Sequence, residues 1–66
     1  MNITVNGETR QVPAGTTAAS LIEALGLRGR RLALEVNGEI VPKSEHQDFI
    51  LTADDRVEIV HAVGGG

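Results

Sequence analysis

Few side chains in this sequence are placed to do chemistry. The 66 residues include two histidines and no cysteine, which excludes a thiolate nucleophile, a disulfide and a zinc–thiolate site. His46 lies in the stretch SEHQD, with Glu45 and Asp48 close by in sequence. A metal or acid–base site would need those groups converged and sheltered, and the stretch reads instead as a solvated turn. His61 continues the alternation of Val57 and Ile59 at the fraying end of a strand and reads as a partly exposed histidine. Ser20 and Ser44 have no triad constellation, so capping or surface roles are expected. The pattern G-x-G-x-x-G is absent, so no phosphate loop is expected. Asp54 and Asp55 read as turn residues rather than a cation site. The expectation is no catalytic side chain and no metal.

One reactive group remains, at the end of HAVGGG. Gly64, Gly65 and Gly66 are three of the chain's eight glycines. Glycine has no Cβ, so such a tail is thin and adopts angles that other residues avoid. It can thread into a narrow active site and present the Gly66 carboxylate there. Simple fraying of a chain end is the other reading, and composition alone does not choose between them.

The tail needs a body to carry it. Two Asn-Gly pairs, Asn6-Gly7 and Asn37-Gly38, sit between β-type segments and mark two-residue hairpins. The first pairs NITV with TRQVP, with Met1, Ile3 and Val5 on one face. The second pairs LALEV with EIV, with Leu32, Leu34 and Val36 opposite Ala33 and Glu35. Between them Ala18, Leu21, Ile22 and Leu25 fall on one helical stripe. Thr16 or Thr17 is placed to cap its start, and Gly26 to stop it in a left-handed conformation. Arg28, Arg30 and Arg31 follow, where they complement the helix dipole; contact with a phosphate or an acidic partner is the alternative. Pro42 breaks regular structure, with a short helical turn around residues 44–46, and RVEIVHAV is the last strand.

Strand, strand, helix, strand, strand, strand predicts a two-layer α+β domain. The helix is expected to carry the chain across to a strand parallel to its neighbour. The arrangement is the ubiquitin-like β-grasp: a mixed sheet of four to five strands packed on one helix. Residues 1–63 form that domain and 64–66 a flexible C-terminal glycine tail. The expected core is Ile3, Val5, Val12, Leu21, Ile22, Leu25, Leu34, Val36, Leu51, Val57 and Ile59. Val60 and Ala62 fall on the open face of the last strand with Glu58, and Val63 at the mouth of a partner's channel. Val60, Ala62 and Val63 are therefore the candidate partner surface.

Composition narrows the partners. With 41% hydrophobic and 23% charged residues the chain reads as a folded domain. A net charge of −3 and a single aromatic residue, Phe49, argue against nucleic acid, which needs a basic footprint and stacking platforms. No apolar run reaches membrane-spanning length, and the N-terminus does not resemble a signal peptide. The expected location is cytoplasmic, with no membrane partner.

The stretches ITVNGE, LIEALGL, LALEVNGEIVPKSEH and DRVEIVHAVGGG together resemble the ubiquitin-like sulfur carriers of thiamine biosynthesis, the ThiS family. The resemblance covers nearly the whole chain, and the family's terminal Gly-Gly maps onto Gly65 and Gly66, with Gly64 as an extra residue. No residue follows Gly66, so no trimming step is expected. The resemblance implies a carrier rather than an enzyme, with no cofactor bound to it. An adenylating enzyme would use ATP and magnesium to activate the Gly66 carboxylate. A sulfur donor protein would then convert it to a thiocarboxylate, and a thiazole synthase would take up the sulfur. Gly64, Gly65 and Gly66 would enter the partner's active site. The small subunit of molybdopterin synthase and a ubiquitin-like protein modifier are the alternatives.

Overall fold

The computed structural model describes residues 1–61. Strand β1 (Asn2–Val5) turns through Asn6-Gly7 into β2 (Glu8–Gln11), and helix α1 (Ala18–Ala24) follows. Strand β3 (Leu32–Val36) turns through Asn37-Gly38 into β4 (Glu39–Ile40). A single 3₁₀ turn (Lys43–Glu45) then leads to β5 (Arg56–His61).

Both hairpins follow from their turns. Asn6 and Gly7 have φ of 50° and 84°, and Asn37 and Gly38 have φ of 54° and 85°. Positive φ at both central residues matches the twist of the flanking strands. It sets the registers Val5↔Glu8 and Val36↔Glu39.

The sheet order is β2-β1-β5-β3-β4. Strand β5 occupies the centre, parallel to β1 and antiparallel to β3. This is the β-grasp order. The expectation that the helix leads to a strand parallel to its neighbour is corrected in detail. The helix joins β2 to β3, which are separated in the sheet by β1 and β5, and the parallel neighbours are β1 and β5. The last strand is inserted between two hairpins already joined by the crossover.

The helix starts where its orphan donors find partners. Thr17 accepts from the Ser20 N–H and Ser20 accepts from the Thr17 N–H, a reciprocal capping box. The Ala18 and Ala19 amides donate to the carbonyls of Phe49 and His46, both at 2.9 Å. The helix end is therefore docked on the segment that follows the 3₁₀ turn. Gly26 ends it with a φ of 73°.

Ile3, Leu21, Leu34, Leu51 and Val57 are the largest fully buried side chains. Of the expected core, Val12 and Leu25 are only partly buried at its margin, while Ala18 and Val41 are buried within it. Val41 directly precedes the break at Pro42. Its amide still bonds the Leu34 carbonyl at 2.9 Å, which extends the hairpin by one residue and turns its side chain inward.

The SEHQD stretch also departs from expectation. His46 is buried, and its Nε2 donates to the Val41 carbonyl at 3.0 Å. A solvated turn was expected because the stretch is polar. Instead the 3₁₀ turn folds back on the hairpin end, and the imidazole closes the loop it forms.

Candidate functional site

Strand β5 sends alternate side chains to the two faces of the sheet. Val57 and Ile59 enter the core, while Glu58 and Val60 are exposed on the opposite face. The registers show what surrounds them. Ala33 lies beside Val60, Glu35 beside Glu58, and Ile40 beside Glu35. Val60 is 52% exposed and Ile40 69% exposed. These residues form an open face on which Ala33 and Val60 lie side by side, Ile40 lies toward the edge strand and two carboxylates stand between them. Of the expected surface residues, Val60 is exposed, and the residues beside it on this face come from β3 and β4. Ala33 and Ile40 were not singled out from the sequence. The signal was available, since a two-residue turn fixes Ile40 opposite Glu35.

Ala62, Val63, Gly64, Gly65 and Gly66 lie outside the described residues. What the structure places is the strand leading to them. Strand β5 is held along both edges, by β3 as far as Leu32↔His61 and by β1 as far as Val5↔Val57.

Both turn asparagines extend this grip. The Asn6 amide N–H bonds the Val57 carbonyl at 2.9 Å, and its side chain then pairs with both backbone groups of Ile59. On the other edge the Asn37 N–H donates to the Arg56 carbonyl at 2.7 Å, and its Oδ1 accepts from the Arg56 N–H at 2.9 Å. A side-chain amide has the donor and acceptor geometry of a peptide group, so each asparagine acts as an extra rung of the ladder. Neither role was read from the sequence, where Asn6 and Ile59 stand 53 positions apart.

Asn37 also donates to Asp55 at 3.0 Å. Asp55 is buried, and accepts further from the Thr52 amide at 2.8 Å and the Thr52 hydroxyl at 3.0 Å. Burial is the largest influence on this carboxyl and opposes its charge. The Thr52 amide, the Asn37 side chain and the Thr52 hydroxyl together outweigh it and hold the pKa below its usual value. Asp55 closes the turn that launches β5, with Asp54 beside it at a φ of 68°. Its three donors define a structural acceptor.

Ser20 is accounted for by the capping box, and His61 is exposed. Among the described residues, no group of three or more His, Cys, Asp or Glu could hold a metal ion. No helix there is long and apolar enough to cross a membrane. The described residues thus offer an exposed, partly apolar sheet face and a strand paired along both edges that precedes the glycines.

The family model described as the ThiS family matches residues 3–66, the glycine run included. The chain belongs to the ThiS family. It is 32% identical to the sulfur carrier protein ThiS of Escherichia coli K12 over the full length of both chains. It is 41% identical to a thiazole synthase of Paramagnetospirillum magneticum and 38% identical to one of Magnetococcus marinus, in each case over all 66 residues. The chain spans about a fifth of the length of those two synthases. Among solved structures it is similar to the crystal structure of the thiamine biosynthesis protein ThiS from Geobacter metallireducens. That match has a TM-score of 0.87 at 29% identity and covers all of both chains.

Proposed function

We propose that this chain is a sulfur carrier for thiazole formation in thiamine biosynthesis and acts through the carboxylate of Gly66. The observation that carries this reading is the end-to-end match to the Escherichia coli sulfur carrier. The chemistry follows from what a carboxylate lacks. Its oxygen is a poor leaving group, so the acyl carbon needs activation before sulfur can attack. An adenylating enzyme, using ATP and magnesium, joins a Gly66 oxygen to AMP and releases pyrophosphate. Sulfide-level sulfur released by a donor protein then attacks the acyl carbon, AMP leaves with the electrons of the C–O bond, and the terminal carboxylate becomes a thiocarboxylate.

A thiazole synthase is the acceptor. Two proteins of that name contain a relative of this whole chain within their own length, which favours a working partnership between the two modules. The domain holds β5 along both edges, and the glycines beyond it form a tail narrow enough to enter each partner's active site. The open face around Val60, with Ala62 and Val63 toward the tail, is the docking surface.

Intact mass spectrometry tests the reading. The chain is incubated with its adenylating enzyme, ATP, magnesium and a sulfur donor, beside the Escherichia coli carrier as a positive control. The expected product gains the mass difference of one oxygen replaced by sulfur. Deleting Gly66 abolishes the gain while the circular dichroism spectrum is retained. An unchanged mass for the full chain while the control converts rejects the proposal.

A further inference from the structure

The helix side of the sheet carries a second surface that sulfur transfer does not explain. A groove of about 700 Å³ opens between α1, the loop before β3 and the 3₁₀ turn. Arg28, Arg30, Arg31 and Lys43 line it. They are four of only six Lys and Arg residues, in a chain whose net charge is −3. A single carboxylate, that of Glu23, lines the groove with them, while the chain has nine Asp and Glu. The protein therefore gathers most of its positive charge around one opening.

Helix capping does not account for this gathering. The arginines follow the C-terminal end of α1 and can complement its dipole. Lys43 comes from the 3₁₀ turn, a separate segment of the chain. Two segments converge to place like charges around one groove, an arrangement that costs free energy until an anion offsets it.

The groove is of mixed character, with apolar side chains at its less exposed positions beside the buried His46. Ile22 is buried and Leu27 and Leu32 are half-buried, while the four cationic residues are exposed around them. A compact phosphate would leave the apolar side chains of Ile22, Leu27 and Leu32 without a partner. The lining has no Phe, Tyr or Trp, and its one imidazole, that of His46, is buried and bonded to the Val41 carbonyl rather than open for a base to stack on. A polypeptide segment with an apolar anchor between carboxylates satisfies both parts of the groove.

We infer that this groove binds an acidic, apolar-anchored segment of a partner protein. Leu32 lines the groove and pairs with His61 at the end of β5, so the groove adjoins the point from which the tail departs. The partner that encloses the tail is placed to supply the segment. That last step rests on the carrier reading; the binding itself does not.

The test uses the full chain, ¹⁵N-labelled, and a short fluorescent peptide alternating Glu and Leu. Expected are saturable binding, weakened by added salt, and amide shift changes confined to residues 19–32 and 43–47. The double variant Arg30→Glu/Lys43→Glu changes two exposed side chains, and an unchanged spectrum away from them verifies its fold. Its affinity falls by about tenfold, the effect of roughly 1 kcal/mol or less lost at each exposed charge. A Lys-Leu peptide does not bind. The inference is overturned if binding is not saturable, if the shifts map to Ala33, Ile40 and Val60, or if pyrophosphate or an oligonucleotide displaces the peptide from the groove at equal concentration. None of these outcomes depends on thiocarboxylate formation, so failure here and failure of the carrier reading are separable.

Discussion

The Asn6 side chain grips the backbone of Ile59 by two hydrogen bonds. Its Oδ1 accepts from the Ile59 N–H at 2.8 Å and its Nδ2 donates to the Ile59 carbonyl at 3.3 Å. Hairpin geometry alone would favour asparagine before Gly7. The clamp adds a second reason for the same residue, since the turn carries its amide to the edge of β5.

The Asn6→Gly variant separates these reasons. Glycine keeps the positive φ that the turn needs and removes the clamp, while adding some unfolded-state freedom, so the site-specific readout is exchange at Ile59. Stability in urea is expected to fall by about 1–3 kcal/mol, from two lost hydrogen bonds that leave both backbone groups of Ile59 without these partners. The Ile59 amide should exchange with solvent faster than that of Val57. Unchanged exchange at Ile59 would show that the clamp contributes nothing.

Asp55 makes the fold sensitive to acid. Its folded-state pKa lies below the unfolded one, so the native protein holds the carboxylate charged further into acid. The resulting stabilisation is complete above the unfolded value near ~3.9 and is lost as the pH falls through the folded value. In Asp55→Asn, which cannot accept through two charged oxygens, that part of the pH dependence should vanish. Urea titrations of the two proteins between neutral pH and the acid limb check this. Parallel curves would assign the acid sensitivity elsewhere.

His46 links the 3₁₀ turn to both the hairpin and the helix. Its ring bonds Val41, and its carbonyl accepts from Ala19. The His46→Ala variant is expected to lose about 2 kcal/mol, from an orphaned carbonyl and a small void. Heat or urea denaturation measures it. A loss below ~0.5 kcal/mol, the range of ordinary surface changes, would contradict the closure described here.

The docking role of the open face is tested by Val60→Lys. Val60 is half-exposed, so stability should change by no more than ~0.5 kcal/mol. Thiocarboxylate formation at limiting carrier should slow by about tenfold and recover at high carrier concentration, as expected for a hot-spot contact. A rate that stays depressed at saturation would place Val60 outside the docking step.

Local signals carried much of this fold into the sequence. Asn6-Gly7 and Asn37-Gly38 specify their hairpin registers by turn geometry, and alternation from Val57 to Val60 separates the two faces of β5. The Ala18-to-Leu25 stripe locates the helix. Thr16 and Thr17 bracket its start, and the capping box with Ser20 selects Thr17. What stayed hidden depends on contacts distant in sequence. The burial of His46 comes from the chain folding back on Val41, and a polar stretch gives no sign of that. The clamps by Asn6 and Asn37 exist only once β5 is inserted. The candidate site was legible in part: alternation gave Val60, whereas Ala33 and Ile40 needed strand pairing to join it.

The central position of β5 bears on how the protein is made. Neither hairpin can close the sheet against the other until a chain synthesised as far as His61 supplies the strand between them. Long-range closure of this kind is slow compared with hairpin formation. A ribosome-bound or truncated chain therefore leaves β1 and β3 with bare edges, open to chaperones and proteases. Folding itself then acts as a length check, because the domain becomes compact only in molecules that have already acquired the strand preceding the glycines.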